Sequence, residues 1–368
     1  MRFDLAIAGG GPAGLAAAIR ARQRGLAVVV LDKRRPPLDK PCGEGLMPDA
    51  VSRLEELGVR LPHGRSAPFV GIRYVDGEVV ADGLFPRGTG LGVRRLDLHR
   101  AMVERAERAG VELFWDTPVE GLAEGGLRAG GEVVRARWIV AADGLRSPLR
   151  RAAGLDAGSP GEPRFGVRRH FCRAPWTDRV EVHWGPACEA YVTPVAPDEI
   201  GVAFLWSGKS AGGFDALLWH FPRLAEQLAG APAASRDRGC GPLRQRVRRV
   251  YRGSLALLGD ASGYVDAITG EGLALAFHQA FALIDAVEQG DLRRYARAHH
   301  RIGRFPDALT RTLLAVERRP RLRRRLIRTL AADPALFTRL LGIHARTLRP
   351  KDLGWTGAWR LARGLVSG

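Results

Sequence analysis

Lysine is scarce in this sequence, because only Lys33, Lys40, Lys209 and Lys351 occur among 57 basic residues. The formal net charge of +18 is therefore carried almost wholly by arginine. Such an excess can attract nucleic acid, anionic lipid or an acidic carrier protein. The arginines are scattered and no nucleic-acid-binding motif accompanies them, so we expect no nucleic-acid partner.

Cysteine is also infrequent. Cys42, Cys172, Cys188 and Cys240 form no CxxC pair and have no metal-ligand spacing. This excludes a disulfide framework and predicts no metal site, and reduced thiols are typical of a cytosolic enzyme. Cys42 alone lies in a suggestive context, "KPCGEGLMP".

Long hydrophobic runs are missing. None reaches the roughly 18 residues that a membrane-spanning helix needs. The early apolar stretch at 3–9 is too short for the core of a signal peptide with its cleavage site. Hydrophobic residues make up 46% and charged residues 26%, an ordinary globular balance. We therefore expect a cytoplasmic protein, and a location peripheral to a membrane stays open.

Apolar runs that alternate with helical patterns indicate the fold. Residues 3–9, 12–24 and 26–32 predict a strand, a helix and a second buried strand. Further buried strands are predicted near 140 and 257, whereas residues 165–206 alternate in the manner of an antiparallel sheet. The predicted fold class is α/β: a Rossmann-like nucleotide-binding domain interrupted by an antiparallel β-sheet substrate domain, with a helical C-terminal region.

The same patterns give domain boundaries. The discontinuous nucleotide-binding domain is predicted at 1–160 and 245–290. The substrate-binding sheet domain is predicted at 60–95 and 161–244, and the helical region at 291–368.

A glycine-rich motif, "GGGPAG", lies between the first strand and the first helix. Its glycines allow a tight turn and close approach to a pyrophosphate, whose charge meets the helix N-terminus. Asp32 ends the next strand, where its carboxylate can accept hydrogen bonds from a ribose. The following "DKRR" suits a 2′-phosphate and hence NADP. The residues predicted to bind a dinucleotide here are Gly9, Gly11, Pro12, Ala13, Gly14, Asp32 and Lys33.

Two later motifs go beyond what a simple nicotinamide dehydrogenase needs. "AADGLRSPLRR" places Asp143 at a strand end, and "GDASGYVDAITGEG" places Asp260 after another strand. Asp260 can accept a hydrogen bond from a sugar-alcohol hydroxyl, and "TGEGLALA" begins a helix whose N-terminus can face an anion. The negative pyrimidine edge of a reduced flavin fits this position. The residues predicted to contact a flavin in the second motif are Gly259, Asp260, Gly270, Gly272 and Leu273.

Together, "GGGPAG", "RRLDLH", "ADGLRSPLR" and "GDASGYVDAITGEGLALA" resemble the FAD-dependent oxidoreductases of the aromatic-hydroxylase type. That group includes flavin monooxygenases, geranylgeranyl reductases and flavin-dependent halogenases. The resemblance covers roughly residues 1–290. It implies that FAD is the cofactor, contacted by Arg95, Asp143 and Asp260.

Within that group, "KPCGEG" is similar to the "KPCGGG" of geranylgeranyl reductases, which implies that Cys42 lies near the flavin. Their aromatic "YxWxFP" motif is replaced here by "AYVTPV", which weakens the assignment of an isoprenoid substrate. A halogenase is disfavoured because no "WxWxIP" occurs and the strand "FVGIRY" contains no lysine.

A hydroxylase that activates a phenol needs a base in the substrate sheet. His170, His183 and Tyr191 are the candidate bases, and Arg168 or Arg169 can bind a phenolate or carboxylate. Strand alternation predicts that Arg168, His170 and Cys172 share one face and that Arg169 lies on the other. The candidate catalytic residues are Cys42, Arg168, His170, His183 and Tyr191.

The leading interpretation is an NAD(P)H-dependent monooxygenase of secondary metabolism that hydroxylates an apolar aromatic or polyketide-like small molecule. The first alternative is a reductase of isoprenoid double bonds, similar to geranylgeranyl reductases. The second is a tailoring oxidase that the basic amphipathic stretch at 318–330 recruits to an acidic carrier protein or an anionic membrane surface. No separate NAD(P)H domain is visible, so a partner reductase stays open as the electron source.

Overall fold

The computed structural model describes residues 3–159, 161–208 and 212–367. Its strands are β1 (Phe3–Ala8), β2 (Val28–Leu31), β3 (Gly45–Leu46), β4 (Ala67–Phe69), β5 (Gly71–Asp76), β6 (Val79–Leu84), β7 (Gly90–Gly92), β8 (Glu112–Phe114), β9 (Val119–Ala123), β10 (Gly126–Ala129), β11 (Glu132–Ala141), β12 (Arg164–Cys172), β13 (Arg179–Trp184), β14 (Cys188–Ala196), β15 (Glu199–Ser207), β16 (Arg238–Cys240), β17 (Tyr251–Arg252) and β18 (Leu255–Leu257). Its helices are α1 (Pro12–Gln23), α2 (Pro48–Glu56), α3 (Arg95–Arg108), α4 (Pro148–Ala152), α5 (Phe214–Leu218), α6 (Pro222–Leu228), α7 (Gly272–Glu288), α8 (Leu292–Glu317), α9 (Pro320–Ala332), α10 (Pro334–His344) and α11 (Gly354–Ser367).

The first sheet brings together strands that are far apart in the chain. Its order is β17-β18-β11-β1-β2-β8, and β18, β11, β1, β2 and β8 are parallel to one another. These strands are rich in Val, Ile, Leu and Ala because helices cover the sheet, and α1 packs against α7. The predicted parallel sheet built from the chain start and from residues near 140 and 257 is therefore confirmed.

The second sheet has the order β16-β12-β15-β14-β13-β5-β6. Its pairs are antiparallel except for β13 with β5, which is parallel. The alternating pattern at 165–206 could not predict this exception, because the β5–β6 hairpin comes from an earlier segment and joins the edge in its own direction. The remaining strands of the predicted 60–95 segment, β4 and β7, form a small sheet with β3.

The C-terminal helices cover one face of the second sheet. Apolar side chains of α8, α9 and α10, including Leu313, Ile327 and Phe337, pack with Val182 and Trp184 of β13. Helices α5 and α6 contribute to a separate apolar cluster with β12, β14 and β15 on the opposite face. The second sheet therefore separates two helical layers.

One arginine of the basic stretch at 318–330 is buried. Arg323 forms a two-point ion pair with Asp76, with N–O distances of 3.0 and 3.2 Å, and donates to the carbonyl oxygen of Gly185 at 2.9 Å. Arg323 therefore belongs to the interior rather than to the exposed face of the stretch, because the buried carboxylate of Asp76 requires a countercharge.

Among the described residues, no helix combines the length and the apolar character needed to cross a lipid bilayer.

Candidate active site

The three motif loops meet at the carboxyl ends of the parallel strands. They line a cavity of about 840 Å³ that continues beneath the second sheet. In an open α/β sheet this is the edge at which ligands bind. Of the residues predicted to contact the cofactor, only Gly14 is absent from the cavity lining within the described chain.

The glycine loop leaves space where a pyrophosphate would lie. A Cβ atom at Gly14 would overlap the carbonyl oxygen of Gly9, and Gly9 has a φ of +111°. By contrast, a Cβ atom at Gly11 would meet only Arg95 Nη2, at 4.0 Å. Gly9 and Gly14 are therefore required by the turn, whereas the absence of a side chain at Gly11 leaves room for a ligand.

Asp32 supports this loop. Its carboxylate accepts hydrogen bonds from the backbone N–H of Gly10 at 2.8 Å and from that of Arg34 at 3.0 Å. Asp32 and Lys33 both line the cavity. The acid at the end of β2 thus fixes the loop while it remains next to the ligand space.

Buried polar atoms in the lining lack protein partners. Arg95 is only 4% exposed and burial lowers its pKa, yet its Nη1 has no hydrogen-bond partner among the described residues. Asp143 accepts from the N–H of Leu149 at 3.2 Å through Oδ2, whereas its Oδ1 is unpartnered. Buried polar groups are normally satisfied, so these atoms fit a polar ligand.

The "GDASGYVDAITGEG" stretch completes this half of the cavity. Gly259 has a φ of +61° and donates its N–H to Gln279 at 3.1 Å, and Asp260 follows it in the lining. Burial raises the pKa of Asp260, and the charge of Lys40 opposes that rise. Helix α7 begins at Gly272, so its N-terminus faces the same space. A glycine loop, carboxylates for hydroxyl groups and a helix N-terminus together fit FAD.

A short segment before α2 joins the FAD half to the rest of the cavity. Cys42 Sγ accepts from the N–H of Glu44 at 3.3 Å, and burial raises the pKa of the thiol. Glu44 has a φ of +61°, a strained conformation for a non-glycine residue. Its carboxylate accepts from the N–H of Arg95 at 2.8 Å and contacts His170 Nε2 at 2.5 Å, which holds the segment in place.

The structure separates the predicted catalytic residues into two groups. Cys42, Arg168 and Tyr191 line the cavity, whereas His170 and His183 do not. His170 is fully buried behind Glu44, and His183 pairs with Glu181 at 3.0 Å. A histidine base facing the substrate was expected, and the described lining brings neither of these two histidines there.

Arg168 and Tyr191 are both engaged by protein groups. Arg168 pairs with Asp39 at 2.6 Å, and Tyr191 donates its hydroxyl to the carbonyl oxygen of Ile268 at 3.0 Å. Burial raises the pKa of Tyr191 well above its usual value, so this residue keeps its proton at neutral pH. Arg169 lies on the opposite face of the strand, as the alternation predicts. There it forms an ion pair with Asp215.

Sequence reasoning missed several residues of the site. His99 accepts from the N–H of Leu38 at 3.2 Å through Nδ1 and lies 2.7 Å from the carbonyl oxygen of Gly10 through Nε2. Burial lowers its pKa to about 4, so the neutral ring supports the glycine loop. His99 is the last residue of the "RRLDLH" motif, so the motif could have identified it as part of the site. His344 lines the cavity and its Nδ1 lies 3.5 Å from Glu271 Oε2, and no local pattern relates two positions so far apart in the chain.

The other half of the cavity is an apolar chamber between the second sheet and the C-terminal helices. We use "apolar chamber" for this half, which begins beside Cys42. It is lined by Phe69, Ile72, Tyr74, Val180, Val182, Leu309, Leu313, Leu326, Leu330, Phe337, Leu340, Leu341 and Leu361. Burial raises the pKa of Tyr74 to about 12.

A comparison with protein families agrees with this geometry. A model described as an FAD binding domain matches residues 2–194. The chain belongs to this FAD-binding family. The shared motifs and its relatives make it an FAD-dependent oxidoreductase.

Two relatives of this FAD-dependent oxidoreductase are reductases. It is 29% identical to a menaquinone reductase of Mycobacterium tuberculosis, over 79% of this chain and 78% of the relative. It is also 29% identical to digeranylgeranylglycerophospholipid reductase 1 of Methanopyrus kandleri, over 80% of this chain and 85% of the relative.

Solved structures share its fold. A flavoprotein/dehydrogenase from Cytophaga hutchinsonii has a TM-score of 0.81 at 19% identity, covering 100% of this chain and 98% of the other. The halogenase PltM, in a mutant form solved with FAD, has a TM-score of 0.73 at 16% identity, covering 98% of this chain and 85% of the other.

Proposed function

We propose that this oxidoreductase reduces a carbon–carbon double bond in a long, apolar, isoprenoid-like substrate. The observation that carries the proposal is the apolar chamber, which continues from the FAD half of the cavity past Cys42 and between two layers of the fold. A hydrocarbon chain gains about 0.8 kcal/mol for each methylene that it buries. A deep apolar chamber therefore favours a long hydrocarbon chain over a small aromatic ring.

The relatives support the same choice. The names of the two relatives described above are those of reductases, and one of them names a lipid that carries geranylgeranyl chains. The matches extend over 79% and 80% of this chain, so the likeness includes most of the second sheet.

FAD, when bound and reduced, supplies hydride chemistry at this site. The chain's own residues then have to hold the cofactor, exclude water and provide a proton. The α7 N-terminus and Asp260 suit the binding of the cofactor. The apolar walls of the chamber suit the exclusion of water. Cys42 suits the provision of a proton, since burial raises the pKa of its thiol and keeps it protonated at neutral pH. Its side chain lies where the FAD half of the cavity meets the apolar chamber.

Hydroxylation of an aromatic compound is the second candidate, favoured by the fold shared with a halogenase. Its weakness is the phenol base. His170 and His183 lie outside the cavity lining, and Tyr191 retains its proton. NAD(P)H remains the proposed electron donor in both cases. The "DKRR" segment after β2 does not select NADPH, because Asp32 and Lys33 line the half of the cavity assigned to FAD.

Turnover under nitrogen separates the two candidates. The FAD-loaded enzyme is reduced with dithionite or NADPH, mixed with a geranylgeranyl lipid, and its product is analysed by mass spectrometry. A gain of two hydrogen atoms without oxygen supports the reductase. A product that forms only with oxygen and contains an added oxygen atom overturns it in favour of hydroxylation.

Cys42→Ala tests the proton donor. We expect turnover to fall by about a hundredfold, the contribution of a well-placed general acid, while FAD content stays unchanged. Cys172→Ala is the matched control because that thiol is exposed at the end of β12. Equal activity of the Cys42→Ala enzyme and the wild type would remove Cys42 from the mechanism.

A further inference from the structure

We infer that the outer face of α11, together with the exposed arginines of α9, docks on an anionic lipid bilayer. We call this surface, formed by Trp355, Trp359, Arg321, Arg324 and Arg328, the docking face. The entry of substrate from the bilayer rests on the proposed function, whereas the docking itself rests on exposure, charge and the position of the cavity.

Two tryptophan side chains of α11 are exposed to solvent. Trp355 is 93% exposed and Trp359 is 59% exposed, and they are four residues apart, so they lie on one face of the helix. The guanidinium of Arg363 lies 5.2 Å from the centre of the Trp359 ring. Tryptophan beside arginine is typical of helices that lie in a membrane interface, because the ring partitions to the headgroup level while the cation meets phosphate.

The opposite face of α11 explains how the helix is held. Gly357 is buried near Leu353, and a Cβ atom at Gly364 would overlap the side chain of Thr329 on α9. Leu361 lies between these two glycines in the sequence and lines the apolar chamber. One face of α11 is therefore a wall of the chamber while the other presents tryptophan to the outside.

The charge around the docking face has one dominant sign. Arg321, Arg324 and Arg328 are exposed on α9, which packs against α11. The whole chain carries a formal net charge of +18. An anionic bilayer attracts each such cation, so charge complementarity selects anionic lipid over a neutral surface.

The chamber opens at α8, the helix that packs against α9 of the docking face. Phe305 and Thr312 of α8 are exposed and also line the cavity, so its mouth lies among the C-terminal helices. Phe305 is 38% exposed and adds an apolar side chain at the mouth. A flat, extended lipid surface matches tryptophan, arginine and an apolar opening together, whereas an acidic protein would account for the arginines alone.

Vesicle co-sedimentation tests the docking without turnover. The FAD-loaded full chain is mixed with phosphatidylcholine vesicles that contain or lack phosphatidylglycerol, at low and high salt. We expect binding to the anionic vesicles only, weakened by salt. Trp355→Ala with Trp359→Ala should reduce the partition coefficient at least about tenfold. Arg321→Gln, Arg324→Gln and Arg328→Gln together should reduce it about a hundredfold.

Matched controls use the same substitutions elsewhere. Trp219 is 82% exposed and belongs to the helical layer on the other face of the second sheet, so Trp219→Ala should bind like the wild type. The exposed Arg108, Arg128 and Arg151, all outside the C-terminal helices, provide a charge-matched triple change to glutamine. FAD content shows that each variant is folded.

Three results would overturn the inference. They are no binding of the wild type to anionic vesicles, equal losses in the control and docking-face variants, and binding to polyglutamate without binding to vesicles. The last would indicate an acidic protein partner. Because no substrate is present, failure here leaves the reductase assay standing, and failure of that assay leaves the docking result standing.

Discussion

Gly11 and Gly14 belong to one motif but have different physical tasks. Gly14 has no space for a side chain because the carbonyl oxygen of Gly9 occupies it, whereas Gly11 borders open space. Gly11→Val should therefore give a folded but colourless protein, and Gly14→Val should fail to fold. FAD absorbance and far-UV circular dichroism check both outcomes. Stoichiometric FAD in the Gly11→Val protein would contradict the assigned pyrophosphate position.

His99 gives the protein an acid-sensitive support. Its pKa is about 4 in the folded protein, against an ordinary value of 6.5, because the ring is buried. The unfolded chain therefore binds the proton more readily, and the stability due to neutral His99 is present above about pH 6.5 and lost as the pH falls through about 4. The shift corresponds to about 3 kcal/mol.

Urea unfolding between pH 4 and 7 measures this effect. We expect His99→Gln to be less stable than the wild type at pH 7 and to show a shallower loss of unfolding free energy on acidification. His63→Gln is the control because His63 is exposed. Parallel pH profiles for the wild type and His99→Gln would show that other groups cause the acid sensitivity.

At the scale of elements, a buried ion pair joins α9 to the second sheet in addition to apolar packing. Arg323→Ala leaves the buried Asp76 carboxylate without its countercharge, so the free energy of unfolding should fall by about 3–5 kcal/mol. Arg321→Ala, on the exposed face of α9, should change it little. Replacing both partners, by Arg323→Met with Asp76→Leu, should recover most of the loss. A loss in the double variant as large as in Arg323→Ala would contradict this explanation.

The elements that sequence could predict are those whose determinants are local. The glycine motif, α1 and β2 lie within the first 31 residues, and the alternation along β12 predicts the opposite facing of Arg168 and Arg169. Amphipathic spacing in α9 predicts a helix, but the burial of Arg323 depends on Asp76, which is 247 positions away. Such partners cannot be found from periodicity.

At the scale of the whole molecule, the chamber requires the C-terminal helices. Leu309 of α8 lines it and is only partly exposed. Leu309→Trp should narrow the chamber and lower turnover of a long isoprenoid substrate by about tenfold or more, while FAD content and the turnover of a short-chain substrate change little. Ala308→Trp, exposed on the same helix, is the control. Equal effects on long and short substrates would argue against the chamber as the chain-binding site.

The same scale explains why sequence motifs predicted FAD well and the reaction poorly. The cofactor residues follow strands of one parallel sheet, so their motifs report their position. The chamber is formed by side chains of β4, β5, β13, α8, α9, α10 and α11. In the sequence, each of these side chains looks like an ordinary core residue. His170 shares the sheet face of Arg168 but is hidden because Glu44 contacts it, whereas Cys42 reaches the cavity lining from the segment before α2.

The strand order of the first sheet has a consequence for synthesis on the ribosome. β1 and β11 can pair early, but β18, Asp260 and α7 are made only after the whole second sheet has been translated. A nascent chain therefore contains the glycine loop long before Asp260 and α7, which form the other side of the cofactor site, have been synthesised. Capture of FAD is postponed until the chain is nearly finished, and truncated products are left without the cofactor that would stabilise them.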